Sequence, residues 1–271
     1  YLMLDWLENL PDELKALLLG MVEGATEFLP VSSTGHLVLF GEVLSFPEQL
    51  APTFDISIQM GAMFAVIWFY RTNIQKSVLS RQKHLVLIIL TAFLPVAFIG
   101  FLFGELIMRL LFSPIPVGLS FITGGILILY VESKYKKNSI VSRTDLLEKI
   151  TFIDAFKIGL IQVLSLIPGT SRSGAVIVSG MYFGLSRHLA TKFSFFLAVP
   201  VIFSAGVYSL FLSWESLTID ELPVFFSGFL SSFVSALIVI KWLINYVQKK
   251  NLKIFAWYRI IVGTIIIIVI W

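Results

Sequence analysis

Apolar residues along this chain fall into long runs separated by short polar stretches. Runs near 53 to 70, 84 to 104, 115 to 131, 190 to 212, 222 to 247 and 254 to 271 each approach the roughly 20 residues that a helix needs to cross a bilayer. About six full transmembrane helices are therefore expected. Two segments break the pattern. Residues 13 to 46 and 152 to 186 mix apolar positions with Gly, Ser, Thr and charged residues, and each is interrupted midway by Pro and Gly. Backbone that leaves the helix at membrane depth must be satisfied by protein or line a wet cavity. Two interrupted segments therefore predict an internal polar site.

Loop charge orders the segments. Lys and Arg gather in 71 to 83 (Arg71, Lys76, Arg81, Lys83), 134 to 149 (Lys134, Lys136, Lys137, Arg143, Lys149), 187 to 192 (Arg187, Lys192) and 249 to 253 (Lys249, Lys250, Lys253). The loop 213 to 221 carries Glu215, Asp220 and Glu221 instead. Basic loops face the cytoplasm, which places the acidic loop and residues 46 to 52 outside and both ends of 152 to 186 inside. Each interrupted segment must then enter and leave on one side. Both read as broken helical hairpins, with re-entry as the option this topology leaves open.

The chain also matches itself at a shift of 139: Gly20 falls over Gly159, Glu23 over Gln162, Ser32 over Ser171, Gly35 over Gly174, Gly41 over Gly180, Phe54 over Phe193 and Phe64 over Phe203. Three spans separate the two hairpins, so the second copy is expected upside down. The expected fold is an all-α polytopic membrane protein with an inverted-topology repeat, a single integral domain over 1 to 271 with halves of about 13 to 131 and 152 to 271. Such repeats meet near the midplane and build a site there.

Composition agrees. Hydrophobic residues make up 57% and charged residues 14%, with a mean hydropathy of +0.91, against roughly 45–50% and about 25% in soluble domains. With no cysteine, disulfides, thiolate metal sites and Cys nucleophiles are excluded. The formal charge of +3 is small and scattered, so no nucleic-acid partner is expected. Asp5 and Glu8 near the start, without a basic n-region, do not match a removable signal peptide.

Against this background, "GMVEGATEFLPVSSTGHLVLF" at 20 to 40 is unusual. Glu23 and Glu27 share one helical face, and Pro30, Ser32, Ser33, Thr34, Gly35 and His36 follow. The second hairpin carries Pro168, Gly169, Thr170, Ser171, Arg172, Ser173 and Gly174. Ser and Thr after Pro, leading into an apolar run, signal helix N-caps, and exposed N–H groups at such termini bind anions. Arg172 adds a planar fork for phosphate oxygens. The two loops together look like a phosphate cradle.

A charge at bilayer depth costs about 2.5–3.5 kcal/mol on insertion scales, which marks Glu23, Glu27 and His36 as functional. Ser33 or His36 could be a nucleophile, with the glutamates orienting the histidine or holding a divalent cation. Glu23 and Glu27 with phosphate oxygens suit Mg²⁺ or Ca²⁺. Each residue taken singly has a plainer reading: the glutamates as partners of Arg172, the hydroxyls as backbone ligands, His36 as a core residue. Asp55 and Gln59 sit where they could support the site. His84 and His188 lie beside basic loops and read as interfacial. Trp68, Tyr70, Tyr130, Trp214, Trp257 and Tyr258 read as an aromatic belt. The Phe-rich helices face lipid or pack the core, or line a lateral opening for a prenyl tail.

The stretches "EGATEFLPVSSTGH" and "PGTSRSG", with "FDISIQMGA", "FSFFLAVP" and "YRIIVG", closely resemble the signatures of the bacterial undecaprenyl-diphosphate phosphatase family, also called the bacitracin-resistance protein family. The resemblance covers essentially the whole chain. It implies interlocked inverted repeats and hydrolysis of undecaprenyl diphosphate to undecaprenyl phosphate and inorganic phosphate. That reaction recycles the lipid carrier for peptidoglycan synthesis, and the resemblance puts the site open to the outer face of the cytoplasmic membrane. The family's glutamate pair matches Glu23 and Glu27, its Ser-Ser-Thr-Gly-His matches Ser32 to His36, and its arginine matches Arg172 between Ser171 and Ser173. Thr170 stands where the family commonly has an aromatic.

The implied partners are a polyprenyl diphosphate and membrane lipid, with a homodimer left open. On this reading Arg172 and the loop N-termini, with Ser32, Thr34, Gly35, Thr170, Ser171, Ser173 and Gly174, hold the diphosphate. Ser33 attacks, His36 or Glu27 handles the proton, and Glu23 with Glu27 positions a cation; direct attack by water stays open. Two other readings remain: a secondary transporter or flippase of a lipid phosphate or small anion, and a type-2 phosphatidic-acid phosphatase. The latter wants a second histidine after a Ser-Arg pair, which neither Ser171-Arg172 nor Ser186-Arg187 provides.

Overall fold

A computed structural model describes residues 7, 9–47, 49–72, 83–111, 113–136, 142–213 and 221–269. Asp5, Glu8, Lys76, Arg81, Lys137, Trp214, Glu215 and Asp220, used above for the N-terminal, loop-charge and aromatic-belt expectations, lie outside the described residues. The described chain is helical: α1 (Asp12–Thr26), α2 (Ser33–Val43), α3 (Ala51–Phe69), α4 (Lys83–Leu111), α5 (Pro114–Lys136), α6 (Phe152–Gln162), α7 (Arg172–Tyr182), α8 (Arg187–Ser213), α9 (Leu222–Lys249) and α10 (Lys253–Val269). Among the described residues β pairing is confined to a single bridge, Thr144 with Leu185.

Four helices, α4, α5, α8 and α9, are long and apolar enough to cross a bilayer. The other two expected spans are shorter as described, α3 with 19 residues and α10 with 17, or about 29 and 26 Å at 1.5 Å per residue. At 11 residues each, α2, α6 and α7 reach only about 17 Å, too little for a hydrocarbon core of roughly 30 Å. The two interrupted segments are thus pairs of short helices, as the sequence pattern predicts.

The hairpins break at different chemistry. In the second, α6 tightens into a 3₁₀ turn (Val163–Leu166) before the Pro168–Gly169 bend, where Gly169 takes φ +84°. Ser171 then caps α7 by accepting the Gly174 N–H at 3.0 Å. In the first, the expected serine cap is absent: Ser32 precedes α2 at φ +70° and makes no side-chain cap. A non-glycine residue there is strained, and its carbonyl is used elsewhere, as described below. The open ends are tied by cations on main-chain oxygens. The buried Lys15 donates to the Ser45 carbonyl at 3.1 Å. Arg143 grips Asp154 at 2.9 Å and the Phe183 carbonyl.

Small residues let the helices approach, the usual solution in membranes. A Cβ on Gly24 of α1 would collide with Ser235 Oγ and the Ser232 carbonyl of α9. On Gly159 of α6 it would lie 2.8 Å from Ala92 Cα of α4. The core inside this frame is built from Phe28, Met63, Phe193, Phe195 and Ile240. One ion pair is sealed within it. Glu132, 3% exposed, accepts from Arg187 through both oxygens at 2.8 and 2.7 Å and from the Leu252 N–H at 2.8 Å. It locks α5, α8 and the start of α10 together.

The belt expectation holds in part. Trp68, Tyr130 and Trp257 are about half exposed on the outer surface, but Tyr70 is 6% exposed and packs on Phe196. It is a core residue, because α3 turns that face inward. His84 donates its Nε2–H to the Ile150 carbonyl, just before the second hairpin, at 3.0 Å, since a carbonyl only accepts.

Removing one partner of a buried pair strands the other charge, at about 3–5 kcal/mol. Arg187→Met should lower the unfolding temperature of the detergent-solubilised protein sharply. The double change Glu132→Leu with Arg187→Met should recover most of the loss.

Candidate active site

The two hairpin tips meet, and the meeting point is polar. Glu27, just past the end of α1, is the hub. Arg172, the first residue of α7, donates through Nη2 to Glu27 Oε1 at 2.6 Å and through Nη1 to the Ser194 carbonyl of α8 at 3.0 Å. Ser33, the first residue of α2, donates its hydroxyl to the other Glu27 oxygen at 2.5 Å. The ion pair is about nine-tenths buried on both sides, where charge-assisted bonds are strong. One carboxylate thus joins a hydroxyl from its own hairpin to a guanidinium from the other.

Glu23, one turn before Glu27, is completely buried; neither of its oxygens accepts from an N–H or hydroxyl donor, and its carboxyl lies within hydrogen-bond reach of the Glu27 carboxyl. Glu27, Asp55 and Arg172 all act on it electrostatically, which brings Asp55 of α3 into the site as the sequence suggested; Gln59 has no described contact there. Gln162, which the internal repeat sets over Glu23, is likewise buried with both side-chain polar atoms unpaired, and so is the Ser194 hydroxyl.

His36 does not touch Ser33. Its Nδ1 lies 2.7 Å from the Ser32 carbonyl and its Nε2 lies 2.5 Å from the Tyr258 hydroxyl. Since a carbonyl only accepts, Nδ1 carries the proton, and in the neutral ring Nε2 accepts from the phenol. The Tyr258 and His36 rings are stacked, 5.6 Å between centroids. Tyr258, 42% exposed, thus reaches into the site as well as facing outward. The geometry gives Ser33 a carboxylate neighbour in place of the histidine.

The expected phosphate-binding hydroxyls have a second duty. Ser171 and Ser173 both donate to the Leu29 carbonyl, at 3.3 and 2.7 Å, and so pin the second loop to the first. Thr170 turns the chain through its N–H to Ile167 at 3.0 Å. Gly35 lies against the Phe121 ring, 2.6 Å from where its Cβ would be. The first N–H groups of α2, around Ser33, Thr34 and Gly35, have no side-chain cap and carry the positive end of the helix dipole. The strained Ser32 aims its carbonyl at His36.

Reasoning from sequence missed Arg259. It is 1% exposed, and its guanidinium donates to the carbonyls of Phe121, Pro30, Ser120 and Gly169 at 3.2, 3.2, 2.9 and 3.2 Å. The signal was present: an arginine inside the apolar run 254 to 271 is as anomalous as those in the hairpins.

Fold and site together define a multi-pass helical membrane protein in which two broken hairpins assemble a hydroxyl, a carboxylate and a guanidinium at one buried point. The family model described as "Bacitracin resistance protein BacA" matches residues 16–265, and the chain belongs to that family. Similar proteins include an "Undecaprenyl-diphosphatase" of Nitrosospira multiformis, 48% identical with 94% of each chain covered. One of a Polaromonas species is 45% identical with 95% of each covered. An "Undecaprenyl-diphosphatase 1" of Paraburkholderia xenovorans is 45% identical over 98% of this chain and 96% of its own.

The hydrogen bonds of His36 predict its tautomer. In ¹⁵N NMR of ring-labelled protein, Nδ1 should carry the proton, and Tyr258→Phe should move only the Nε2 resonance, toward that of an unbonded lone pair. A proton on Nε2 in the wild type would contradict the assignment.

Proposed function

We propose that this chain hydrolyses undecaprenyl diphosphate to undecaprenyl phosphate and inorganic phosphate, recycling the lipid carrier for peptidoglycan synthesis and conferring bacitracin resistance. Family membership and the names of its relatives support the substrate. The observation that carries the chemistry is the 2.5 Å bond from Ser33 Oγ to a carboxylate held by the arginine of the opposite hairpin. A nucleophile within hydrogen-bond reach of a base that a third group orients is the arrangement nucleophilic catalysis needs.

The terminal phosphate takes a place at Arg172 and the N-terminus of α2, where equatorial oxygens meet a guanidinium and backbone N–H groups. As Arg172 turns from Glu27 to the phosphate, the freed carboxylate removes the Ser33 proton. Ser33 Oγ then bonds to the terminal phosphorus, the anhydride P–O bond breaks, and undecaprenyl phosphate leaves with that oxygen. Glu27 gives that proton to the departing undecaprenyl phosphate and, ionised again, takes one from the water that hydrolyses the phosphoserine, returning it to Ser33 Oγ as inorganic phosphate leaves. His36, with both ring nitrogens engaged, fixes the Ser32 turn from which Ser33 projects.

Glu23 fits the divalent cation expected from sequence, since its two buried oxygens accept from no N–H or hydroxyl donor. Among the described residues no group of three His, Asp or Glu could hold a metal alone, so Mg²⁺ or Ca²⁺ at Glu23 and Glu27 would complete its shell with substrate oxygens. Bound there, the ion would neutralise phosphate charge.

We also read the repeated order of broken hairpin and apolar helix, α1–α2–α3 and α6–α7–α8, as an inverted repeat over about 13–131 and 152–271, with re-entrant hairpins in the bacterial inner membrane and the site open to the periplasm. The groups named all lie in one chain, so the reaction needs no second copy.

Purified wild type should release inorganic phosphate from undecaprenyl diphosphate. Ser33→Ala, Glu27→Gln and Arg172→Lys should each lose about 10²–10⁴-fold in kcat, the range for a removed acid–base or oxyanion group. Trapping of ³²P on Ser33 separates the phosphoserine route from direct attack by water, and binding without release would favour transport. Glu23→Gln should weaken Mn²⁺ binding seen by paramagnetic resonance. The absence of native cysteine allows single introduced cysteines at 48 and 75 to report sidedness: the first should label from outside and the second from inside.

A further inference from the structure

Arg259 is the largest of the fully buried side chains among the described residues; it falls in the "YRIIVG" stretch, yet the reaction above gives it no part. Among the described residues its guanidinium pairs with no carboxylate, and its hydrogen bonds all go to main-chain carbonyls. A charge buried this way stabilises poorly for what it costs to desolvate. Its partners say what it holds.

Pro30 lies two residues before Ser32 and three before Ser33. Gly169 lies three residues before Arg172. One guanidinium therefore grips both loops immediately upstream of the two groups that meet at Glu27, while its remaining bonds anchor it on Ser120 and Phe121 of α5. The planar fork is suited to this, since its donors point in fixed directions that a lysine ammonium cannot reproduce. The surroundings are cut to admit it. A Cβ on Gly124 would lie 2.7 Å from the Arg259 Cζ, so a glycine lets the guanidinium lie flat on α5. The Phe121 ring sits 5.3 Å from that Cζ and carries Gly35 on its other contacts. The neighbouring Tyr258 holds His36 at 2.5 Å. Arg259 is also close enough to His36 to act on it electrostatically.

We propose that Arg259 is a positioning residue for phosphate release: its guanidinium, anchored on α5, sets the spacing between the Ser33 loop and the Arg172 loop, and so the geometry in which Ser33, Glu27 and Arg172 face the substrate. The proposal rests on the hydrolase reading above. It touches neither substrate nor reacting atoms and acts through backbone, so it belongs to catalysis by orientation, where small misplacements are costly.

The experiment compares kcat and KM for phosphate release by full-length wild type, Arg259→Lys and Gly124→Ala, using monodisperse fractions of equal helicity. Arg259→Lys keeps the charge and loses the fork. Gly124→Ala keeps the arginine and pushes only its flexible end off α5, so it decides the matter if the lysine variant is not recovered folded. Both are expected to lower kcat at least tenfold with KM changed less than threefold. Wild-type kcat in the folded fraction, with the loss confined to thermal stability, overturns the proposal and makes Arg259 a structural tie. No phosphate release from wild type overturns the hydrolase reading and this proposal with it, whereas an active wild type with unaffected variants overturns this proposal alone.

Discussion

Backbone that leaves the helix at membrane depth must send its hydrogen bonds to protein or to a wet cavity. Both hairpins leave the α-helix, at 27–32 and 163–171, and much of the site follows from how their carbonyls are satisfied. Leu29 receives the Ser171 and Ser173 hydroxyls, and Pro30 and Gly169 receive Arg259. Ser32 receives His36 and Ser194 receives Arg172. Within the stretch 20 to 40 only His36 serves this loop backbone; the rest of its solvation comes from the second hairpin and from α10. The second motif is used twice: its serine hydroxyls solvate the first loop, while its Arg172 meets Ser33 across Glu27.

This double use explains what was legible in the sequence. The helices were, because a run of about 20 apolar residues has few other structures to adopt in lipid, and the two interruptions marked the site because Pro, Gly and Ser clusters are costly there. The pairing of Arg172 with Glu27, which the sequence suggests as the plain alternative to function, is present, and in our reading it orients the carboxylate that faces Ser33. Less visible was which hydroxyl meets which base. Ser33 and His36 are one helical turn apart, which suggests contact, but the positive φ at Ser32 directs the imidazole to its own turn and to Tyr258. A backbone angle of that kind leaves no mark in residue order. The bond from Tyr258 to His36 is hidden for a related reason: a tyrosine near the end of an apolar run reads as interfacial, which its exposure allows, and only the tertiary fold brings it to α2 as well.

Arg259 shows a different limit. Its anomaly could be read directly, a charged residue in a run of Ile and Val, but its four acceptors are carbonyls from three separate elements, and carbonyls have no sequence signature. Small residues mark such approaches indirectly. Gly124, Gly159 and Gly24 each sit where another element passes within contact of the backbone, whereas Gly41 and Gly104 face open space, so a glycine alone does not show where the close approaches fall.

The site also has a charge imbalance that the hairpins alone leave unresolved. The first half brings three carboxyls, Glu23, Glu27 and Asp55, and the second answers with Arg172. A diphosphate that competes for that arginine adds further negative charge to the same low-dielectric volume, where like charges repel far more strongly than in water. Recruiting Arg172 to the phosphate therefore leaves the carboxyls without their counter-charge at the moment Ser33 must lose its proton. In our reading a divalent cation arriving with the substrate meets this demand. The buried oxygens of Glu23 are then the part of the site held ready for a charge that the polypeptide itself does not contain.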